Sequence, residues 1–117
     1  MINQKKPLLI YSKKGKIMYK DINIYEYINN ERAENDVLVD LRDANSFRCG
    51  SLPKAVNIPL DNIAELYSLP QDKRICVFCQ YGEFSPQAAE LLDDAGYEVI
   101  HLTGGYKEYL LNKFKEN

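Results

Sequence analysis

The chain has 117 residues, of which 45% are hydrophobic and 27% are charged, with a formal net charge of −2. This balance is typical of one globular domain and excludes an intrinsically disordered chain, and no apolar run approaches the ~20 residues that a membrane-spanning helix needs. Three cysteines are too few for a disulfide-stapled scaffold, and a single histidine, His101, makes a four-ligand zinc site hard to assemble.

Charge is distributed unevenly along the chain. Residues 1–20 contain six of the fifteen basic residues and no acidic one, which leaves nine basic against seventeen acidic residues in 21–117. The acidic main body argues against nucleic-acid binding. We expect residues 1–16 to be a basic N-terminal lead-in segment and residues 17–117 to form the domain. The N-terminus lacks the apolar core of a secretory signal, so we expect a cytoplasmic protein.

The first half of the chain predicts strands separated by one helix. Residues 8–11 are apolar enough for a short edge strand, and residues 17–22 are typical of a second strand. Asn23 is a good N-cap for a helix over 24–31, whose apolar residues recur at helical spacing. Residues 37–39 form a continuous apolar run, which is typical of a buried parallel strand.

The second half alternates strands and helices. We predict strands over 55–58, 75–78 and 98–102, and helices over 43–49, 61–67, 85–95 and from 106 onward. Asp61 and Ser85 are the expected N-caps of two of these helices. Alternation of this kind predicts an α/β domain with a mostly parallel sheet that is covered by helices on both faces.

Cys79 occupies the position where chemistry is expected in such a fold. It follows the most convincing central strand, 75–78, and comes just before the helix that starts near Ser85. Ligands and reactive groups of parallel sheets lie beyond the carboxyl ends of the strands, and the partial positive charge of a helix N-terminus favours a thiolate. Gly82 would let the loop curl so that backbone amides point at the sulfur. The alternative is a small buried cysteine that only terminates a strand.

Four segments, in order and at matching spacing, resemble the motifs of rhodanese-like domains. They are Val-Leu-Val-Asp-Leu-Arg-Asp at 37–43, Phe-x-x-Gly-Ser-Leu-Pro-Lys-Ala-Val-Asn-Ile-Pro at 47–59, Cys-Gln-Tyr-Gly-Glu-Phe-Ser at 79–85 and Leu-Thr-Gly-Gly-Tyr-Lys-Glu-Tyr at 102–109. The resemblance implies a rhodanese-like fold with a five-stranded, mostly parallel sheet and helices on both faces. It also implies sulfur transfer through a persulfide on the nucleophile Cys79, with no metal and no organic cofactor.

The active-site loop departs from the family pattern in its charge. The resemblance makes its residues candidates for substrate binding: Gln80, Tyr81, Gly82, Glu83, Phe84 and Ser85. Phe84 replaces the family's loop arginine, which favours anionic donors, and Glu83 adds a negative charge. We therefore expect thiosulfate to be a poor donor and a thiol persulfide, small or protein-bound, to be a better one. Phosphatase activity is not expected, since neither Phe84 nor Ser85 supplies the arginine of the related phosphatases.

Other residues receive supporting or structural roles. The resemblance assigns Asp40 and Arg42 to the organisation of neighbouring loops, rather than to substrate contact. It also brings Cys49 near the active-site loop, where it is a possible resolving thiol for an oxidised Cys79. Cys76 is expected in the core. Nothing in the sequence places His101 near Cys79, so His101 is expected to be structural.

A narrower resemblance concerns the partner. Phe-Cys-Gln-Tyr-Gly at 78–82, with 57–61 upstream and 104–107 downstream, is similar to rhodanese domains appended to coenzyme A-disulfide and persulfide reductases. This chain has no Gly-rich dinucleotide-binding segment, so a flavin reductase would be a separate protein. The alternative to an enzyme is a non-catalytic rhodanese-like module that binds a protein or a thiol metabolite.

Overall fold

We describe the fold from a computed structural model, in which residues 7–115 are described. They form a six-stranded sheet in the order β1-β2-β6-β5-β3-β4. The strands are β1 Leu8–Tyr11, β2 Ile17–Asn23, β3 Val37–Asp40, β4 Val56–Asn57, β5 Ile75–Phe78 and β6 Val99–Thr103. All neighbouring pairs are parallel except β1 with β2. The predicted α/β class with a mostly parallel sheet is confirmed.

The sheet has six strands and not the five that the family resemblance implies, because β1, which the residue pattern predicted as a short edge strand over 8–11, adds an antiparallel edge. Leu8 pairs with Asp21 and Ile10 pairs with Tyr19. The segment 1–16 therefore contributes a strand to the sheet, and the boundary between a lead-in segment and a domain at residue 17 stays a prediction. The lysines at positions 5 and 6 lie outside the described residues.

Helices cover both faces of the sheet. They are α1 Ile24–Glu26, which continues as a π-helical turn over Tyr27–Glu31, α2 Ala44–Cys49, a 3₁₀ segment over Leu60–Ser68, α3 Ser85–Asp94 and α4 Gly105–Lys115. Within residues 7–115, none of these helices is long and apolar enough to cross a membrane.

Two of the predicted N-caps are wrong, and one is observed. Asn23 caps α1 as expected, and its side chain accepts hydrogen bonds from the first-turn amides. Asp61 lies inside the 3₁₀ segment, which follows Pro59 without a side-chain cap. Ser85 is the first residue of α3, and Phe84 occupies the cap position. The Ser85 hydroxyl is unavailable for capping because it is directed towards other buried groups, described below.

The core consists of two apolar layers, one on each face of the sheet. Alternate strand residues such as Val39 and Val77 pack with the helix α3 residues Ala88 and Leu92. On the other face, Phe78 and its neighbours pack against α1 and α4. Strand side chains alternate between faces, so one buried strand contributes to both layers.

A buried carboxylate joins the amino ends of β3 and β5. Asp36 accepts hydrogen bonds from Arg74, from the hydroxyl of the fully buried Tyr27 and from the Ala33 amide. Burial alone would raise the pKa of Asp36, but the hydrogen bonds from Arg74 and Tyr27 outweigh it and lower the pKa below its ordinary value. The folded state therefore holds Asp36 as a carboxylate at the end of the sheet opposite Cys79.

We expect Asp36→Asn to lower the free energy of unfolding by about 2 kcal/mol at neutral pH, since hydrogen bonds to a charged group are worth about 1.5–3 kcal/mol. A lowered folded pKa stabilises the fold above the unfolded pKa of ~3.9, and this contribution is lost as the pH falls through the folded value. Urea unfolding should thus show a gap between the two proteins at pH ~7 that narrows at pH ~3. Asp72→Asn, at an exposed loop position, is the control. A gap that is equal at both pH values would contradict the prediction.

Candidate active site

The carboxyl ends of the parallel strands bring the predicted reactive residues to one edge of the sheet. Cys79 follows β5, Asp40 ends β3, and Gly104-Gly105 follows β6. Because β5 lies between β3 and β6, the sulfur of Cys79 is flanked by polar groups from both neighbours.

The sulfur of Cys79 is held by its own loop. Cys79 is 3% exposed. Its Sγ accepts a hydrogen bond from the Gly82 amide at 3.2 Å and contacts the Ser85 hydroxyl at 3.4 Å. Gly82 has a φ of +90°, which glycine adopts without steric cost and which turns its amide back towards the sulfur. Both contacts can stabilise negative charge on the sulfur.

The first turn of α4 holds the same loop from behind. The Tyr106 amide donates to the Cys79 carbonyl at 2.9 Å, and the Lys107 amide donates to the Gln80 carbonyl at 3.0 Å. First-turn amides have no partner within their own helix, so the loop satisfies them. A β-carbon on Gly105 would lie 2.4 Å from the Gln80 carbonyl oxygen, and the φ of Gly105 is +70°. Only glycine permits this approach of helix and loop.

Arg42 connects several segments around one buried carboxylate. Its guanidinium binds the fully buried Asp40 through Nε at 3.0 Å and Nη2 at 2.7 Å. It also donates to the Gly50 carbonyl at 2.6 Å and to the Gln80 side chain at 3.3 Å, and it stacks 4.2 Å above the Tyr106 ring. Asp40 thus compensates the positive charge of Arg42 inside the protein.

A cavity of about 500 Å³ opens above Cys79 and is lined by more acidic than basic groups. Its charged lining residues are Arg42, Asp43, Asp61 and Glu83. A hydrogen bond from the Ser46 amide lowers the pKa of Asp43, so this carboxylate stays ionised at neutral pH. The lining of the cavity therefore presents three carboxylates and one guanidinium.

The rim of the cavity is aromatic. Tyr81 is 55% exposed and Phe84 is 58% exposed, and both line the cavity with Gln80 and Glu83. Four of the six predicted substrate-binding residues thus line the cavity. Gly82 and Ser85 instead contact the sulfur of Cys79.

The other two cysteines occupy different environments. Cys49 is an exposed free thiol at the end of α2, and it lines a second cavity that shares Arg42 and Gln80 with the first. The role of Cys49 as a resolving thiol stays a prediction. Cys76 is fully buried within β5, and burial raises its pKa to about 12, so we expect it to be unreactive.

The structure places His101 next to the site, contrary to the expectation from sequence. Its Nε2 lies 2.6 Å from the Ser85 hydroxyl, and its Nδ1 lies 2.9 Å from Asp21 Oδ1. The order of the strands causes this arrangement, because β6 lies between β2 and β5 and α3 packs across it. The available signal in the sequence was a histidine inside an otherwise apolar strand.

Comparisons with known proteins agree with the architecture. The family model described as rhodanese-like domain matches residues 24–112. Among curated proteins, thiosulfate sulfurtransferase GlpE of Shewanella oneidensis is 28% identical over 93 residues, which cover 78% of this chain and 92% of GlpE. Some other curated relatives are longer, and the chain spans 39% of one transcriptional regulator that it matches, Rv0324 of Mycobacterium tuberculosis.

Solved structures show the same likeness. A rhodanese-related protein from Thermoplasma volcanium superposes with a TM-score of 0.71 at 26% identity, covering 79% of this chain and 91% of that one. Reduced CoADR-RHD from Bacillus anthracis superposes with a TM-score of 0.65 at 32% identity. The match covers 76% of this chain but 16% of CoADR-RHD, so it concerns one domain of a larger protein.

We expect Gly105→Ala to lower the free energy of unfolding by roughly 3 kcal/mol or more, because the new β-carbon collides with loop backbone as well as straining φ. Gly96→Ala is the matched control. It has a φ of +93° and nothing within 4 Å of the added carbon, so it pays only the backbone strain of about 1–2 kcal/mol. Urea unfolding measures both variants, and equal losses would contradict a steric role for Gly105.

Proposed function

This chain belongs to the rhodanese-like family, and we propose that it is a sulfurtransferase that carries a sulfane sulfur as a persulfide on Cys79. The main support is the environment of Cys79, which lines an open cavity and whose Sγ accepts a hydrogen bond from the Gly82 amide. A relative named as a thiosulfate sulfurtransferase supports this reaction class. Activity of this chain and its donor are parts of the proposal.

The proposed cycle has two displacements and needs no oxidant or reductant. In the first, the Cys79 thiolate attacks the outer sulfur of a donor persulfide, the donor's S–S bond breaks, and its electron pair leaves on the donor thiolate, which takes a proton from water. In the second, an acceptor thiolate attacks the outer sulfur on Cys79, and the Cys79 thiolate is released. Covalent catalysis thus divides the transfer into two steps, in which Cys79 is first the nucleophile and then the leaving group.

The charges of the cavity support a thiol persulfide as donor in preference to thiosulfate. Glu83, Asp43 and Asp61 line the cavity, and the positive charge of Arg42 is engaged by Asp40. A doubly charged anion would meet a lining with more negative than positive charge there, even with Lys107, whose Nζ lies 5.2 Å from the centroid of the rim residue Tyr81. The aromatic rim at Tyr81 and Phe84 offers apolar surface to the organic part of a donor.

In this proposal, Asp40 and Arg42 are positioning residues and not substrate ligands. They hold Gln80 and Gly50 around the cavity, while Gly82 stabilises the sulfur. Cys49 lines the adjoining cavity, and we keep it as the candidate resolving thiol for an oxidised Cys79. A separate flavin reductase stays the predicted partner on the acceptor side, supported by the likeness to CoADR-RHD.

A binding module is the second candidate. The observation in its favour is the replacement of the family's loop arginine by the exposed Phe84, which removes anion-binding charge and leaves an aromatic surface. Loss of catalysis with retention of a ligand surface would produce such a loop. The two candidates differ in whether Cys79 takes up sulfur.

We expect the intact mass of the reduced protein to increase by one sulfur after exposure to glutathione persulfide, and by much less after thiosulfate. The Cys79→Ser variant should gain none, whereas Cys49→Ser should gain as much as the unmodified chain. Absence of a Cys79-dependent gain from either donor would overturn the proposal and favour the binding module.

We expect Phe84→Arg to increase the rate of loading from thiosulfate about tenfold, which corresponds to one charge-assisted hydrogen bond of about 1.4 kcal/mol. Phe114→Arg is the matched control, because it adds the same charge at an exposed phenylalanine near the end of α4. The measurement is the initial rate of persulfide formation by mass spectrometry. An equal effect of both substitutions would show that net charge, and not the loop position, governs donor choice.

A further inference from the structure

Four side chains form one continuous series of hydrogen bonds from the sulfur of Cys79 to strand β2. Cys79 Sγ is 3.4 Å from Ser85 Oγ, Ser85 Oγ is 2.6 Å from His101 Nε2, and His101 Nδ1 is 2.9 Å from Asp21 Oδ1. We propose that Ser85, His101 and Asp21 form a proton relay that converts the Cys79 thiol to its thiolate. The proposal deepens the proposed sulfur transfer, on which its biological use rests.

The three links share one direction of donation. The Cys79 thiol donates to Ser85 Oγ, so the Ser85 hydroxyl proton is free to be donated to His101 Nε2. The remaining ring proton then lies on Nδ1 and is donated to the Asp21 carboxylate. In this arrangement His101 is the neutral tautomer that accepts at Nε2, as a base for the serine hydroxyl must be.

The proton transfer involves only the side chains of Cys79, Ser85 and His101. The thiol proton passes to Ser85 Oγ while the hydroxyl proton passes to His101 Nε2, so one S–H and one O–H bond break and one O–H and one N–H bond form. The products are a thiolate and an imidazolium. The thiolate accepts hydrogen bonds from the Gly82 amide and the re-formed Ser85 hydroxyl, and the imidazolium is paired with Asp21.

The groups that form the proposed relay are buried. Ser85 is fully buried, His101 is 4% exposed and Cys79 is 3% exposed. Water therefore has little access to the links between them, and a neutral serine hydroxyl alone is too weak a base to take a thiol proton. The nearest partly exposed member is Asp21, whose side chain is 23% exposed. The series of hydrogen bonds thus carries the proton away from the sulfur of Cys79 without opening the core.

The described groups that face His101 are few. From β2 they are Asp21 and Tyr19, whose ring meets the imidazole edge-on with centroids 6.3 Å apart. From β5 the partner in register is the apolar Val77, and from α3 it is Ser85.

Tyr19 and the sulfur end complete this electrostatic environment. Burial, Asp21 and Glu90 raise the pKa of Tyr19, so its phenol stays neutral, while Glu83 and the Asp40–Arg42 pair lie at the sulfur end. Asp21 is therefore the acidic group in contact with the ring, and it is placed to stabilise the imidazolium.

The single histidine of the chain allows a direct spectroscopic test. In ¹⁵N NMR at neutral pH, we expect His101 to be an imidazolium in the reduced protein and a neutral ring protonated at Nδ1 in Cys79→Ala. Cys49→Ala is the control and should leave the His101 signals unchanged. The same protonation state of His101 in the reduced protein and in Cys79→Ala would overturn the relay.

A second test measures thiol reactivity against pH with the neutral reagent iodoacetamide, in a Cys49→Ser background. His101→Gln retains a hydrogen-bonding side chain but cannot take up a proton, and we expect Cys79 to react about 10²-fold more slowly at neutral pH, with its inflection at higher pH. Asp21→Asn should act in the same direction and less strongly. Ser85→Ala should match His101→Gln, whereas Ser85→Thr, which keeps the hydroxyl, should restore reactivity.

Tyr97→Phe controls for general loosening, since it removes a buried hydrogen bond to Leu69 away from the relay and should leave the profile unchanged. Unaltered profiles in His101→Gln and Asp21→Asn would overturn the proposal. Neither test requires a sulfur donor. A protein that shows the relay but takes up no sulfur would therefore refute the proposed function alone, and the reverse result would refute the relay alone.

Discussion

The hydrogen bonds between the first turn of α4 and the loop carbonyls are the constraint on which the site depends. The amides of Tyr106 and Lys107 bind the carbonyl oxygens of Cys79 and Gln80, and Gly105 permits that distance. The last helix therefore determines where the reactive loop can lie. Arg42 contacts the same loop through a hydrogen bond to the Gln80 side chain. These two sets of hydrogen bonds fix the loop that carries Cys79, and among the described residues no disulfide does so.

The site separates its two kinds of charge. The positive charge of Arg42 is paired inside the structure, where its guanidinium binds Asp40 and stacks on Tyr106. Negative charge remains at the cavity mouth, where Glu83 and Asp61 lie beside aromatic surface. A family loop with an arginine at position 84 would join these regions by a cation that faces the substrate. Because Phe84 stands there instead, residues 79–85 supply no side-chain cation to the cavity, and this agrees with the weak use of small anions that we propose above.

Local patterns predicted the strands and the place of Cys79, because apolar runs and the transition from strand to helix are visible in short windows of sequence. The relay could not be predicted in this way. Asp21 and His101 are 80 residues apart and meet only through the order β2-β6-β5. Ser85 shows the same limit, since its preference for a cap position predicted a capping hydroxyl, while tertiary contacts with Cys79 and His101 override it. The edge strand over 8–11 was predicted from its apolar residues, but its antiparallel pairing with β2 could not be, since a short apolar segment does not specify its partner.

The burial of Cys79 has a consequence for the sulfur transfer that we propose. With 3% of the residue exposed, bulky oxidants and large thiol partners are poorly placed to reach its own sulfur. A second sulfur bonded to it would lie about 2 Å further out, in the direction of the cavity. The outer sulfur of the persulfide would then be accessible while Cys79 Sγ stays shielded. An acceptor could therefore take the outer sulfur without forming a mixed disulfide with the protein. Burial of Cys79 would thus favour transfer of the outer sulfur over unwanted oxidation or disulfide formation at Cys79 Sγ.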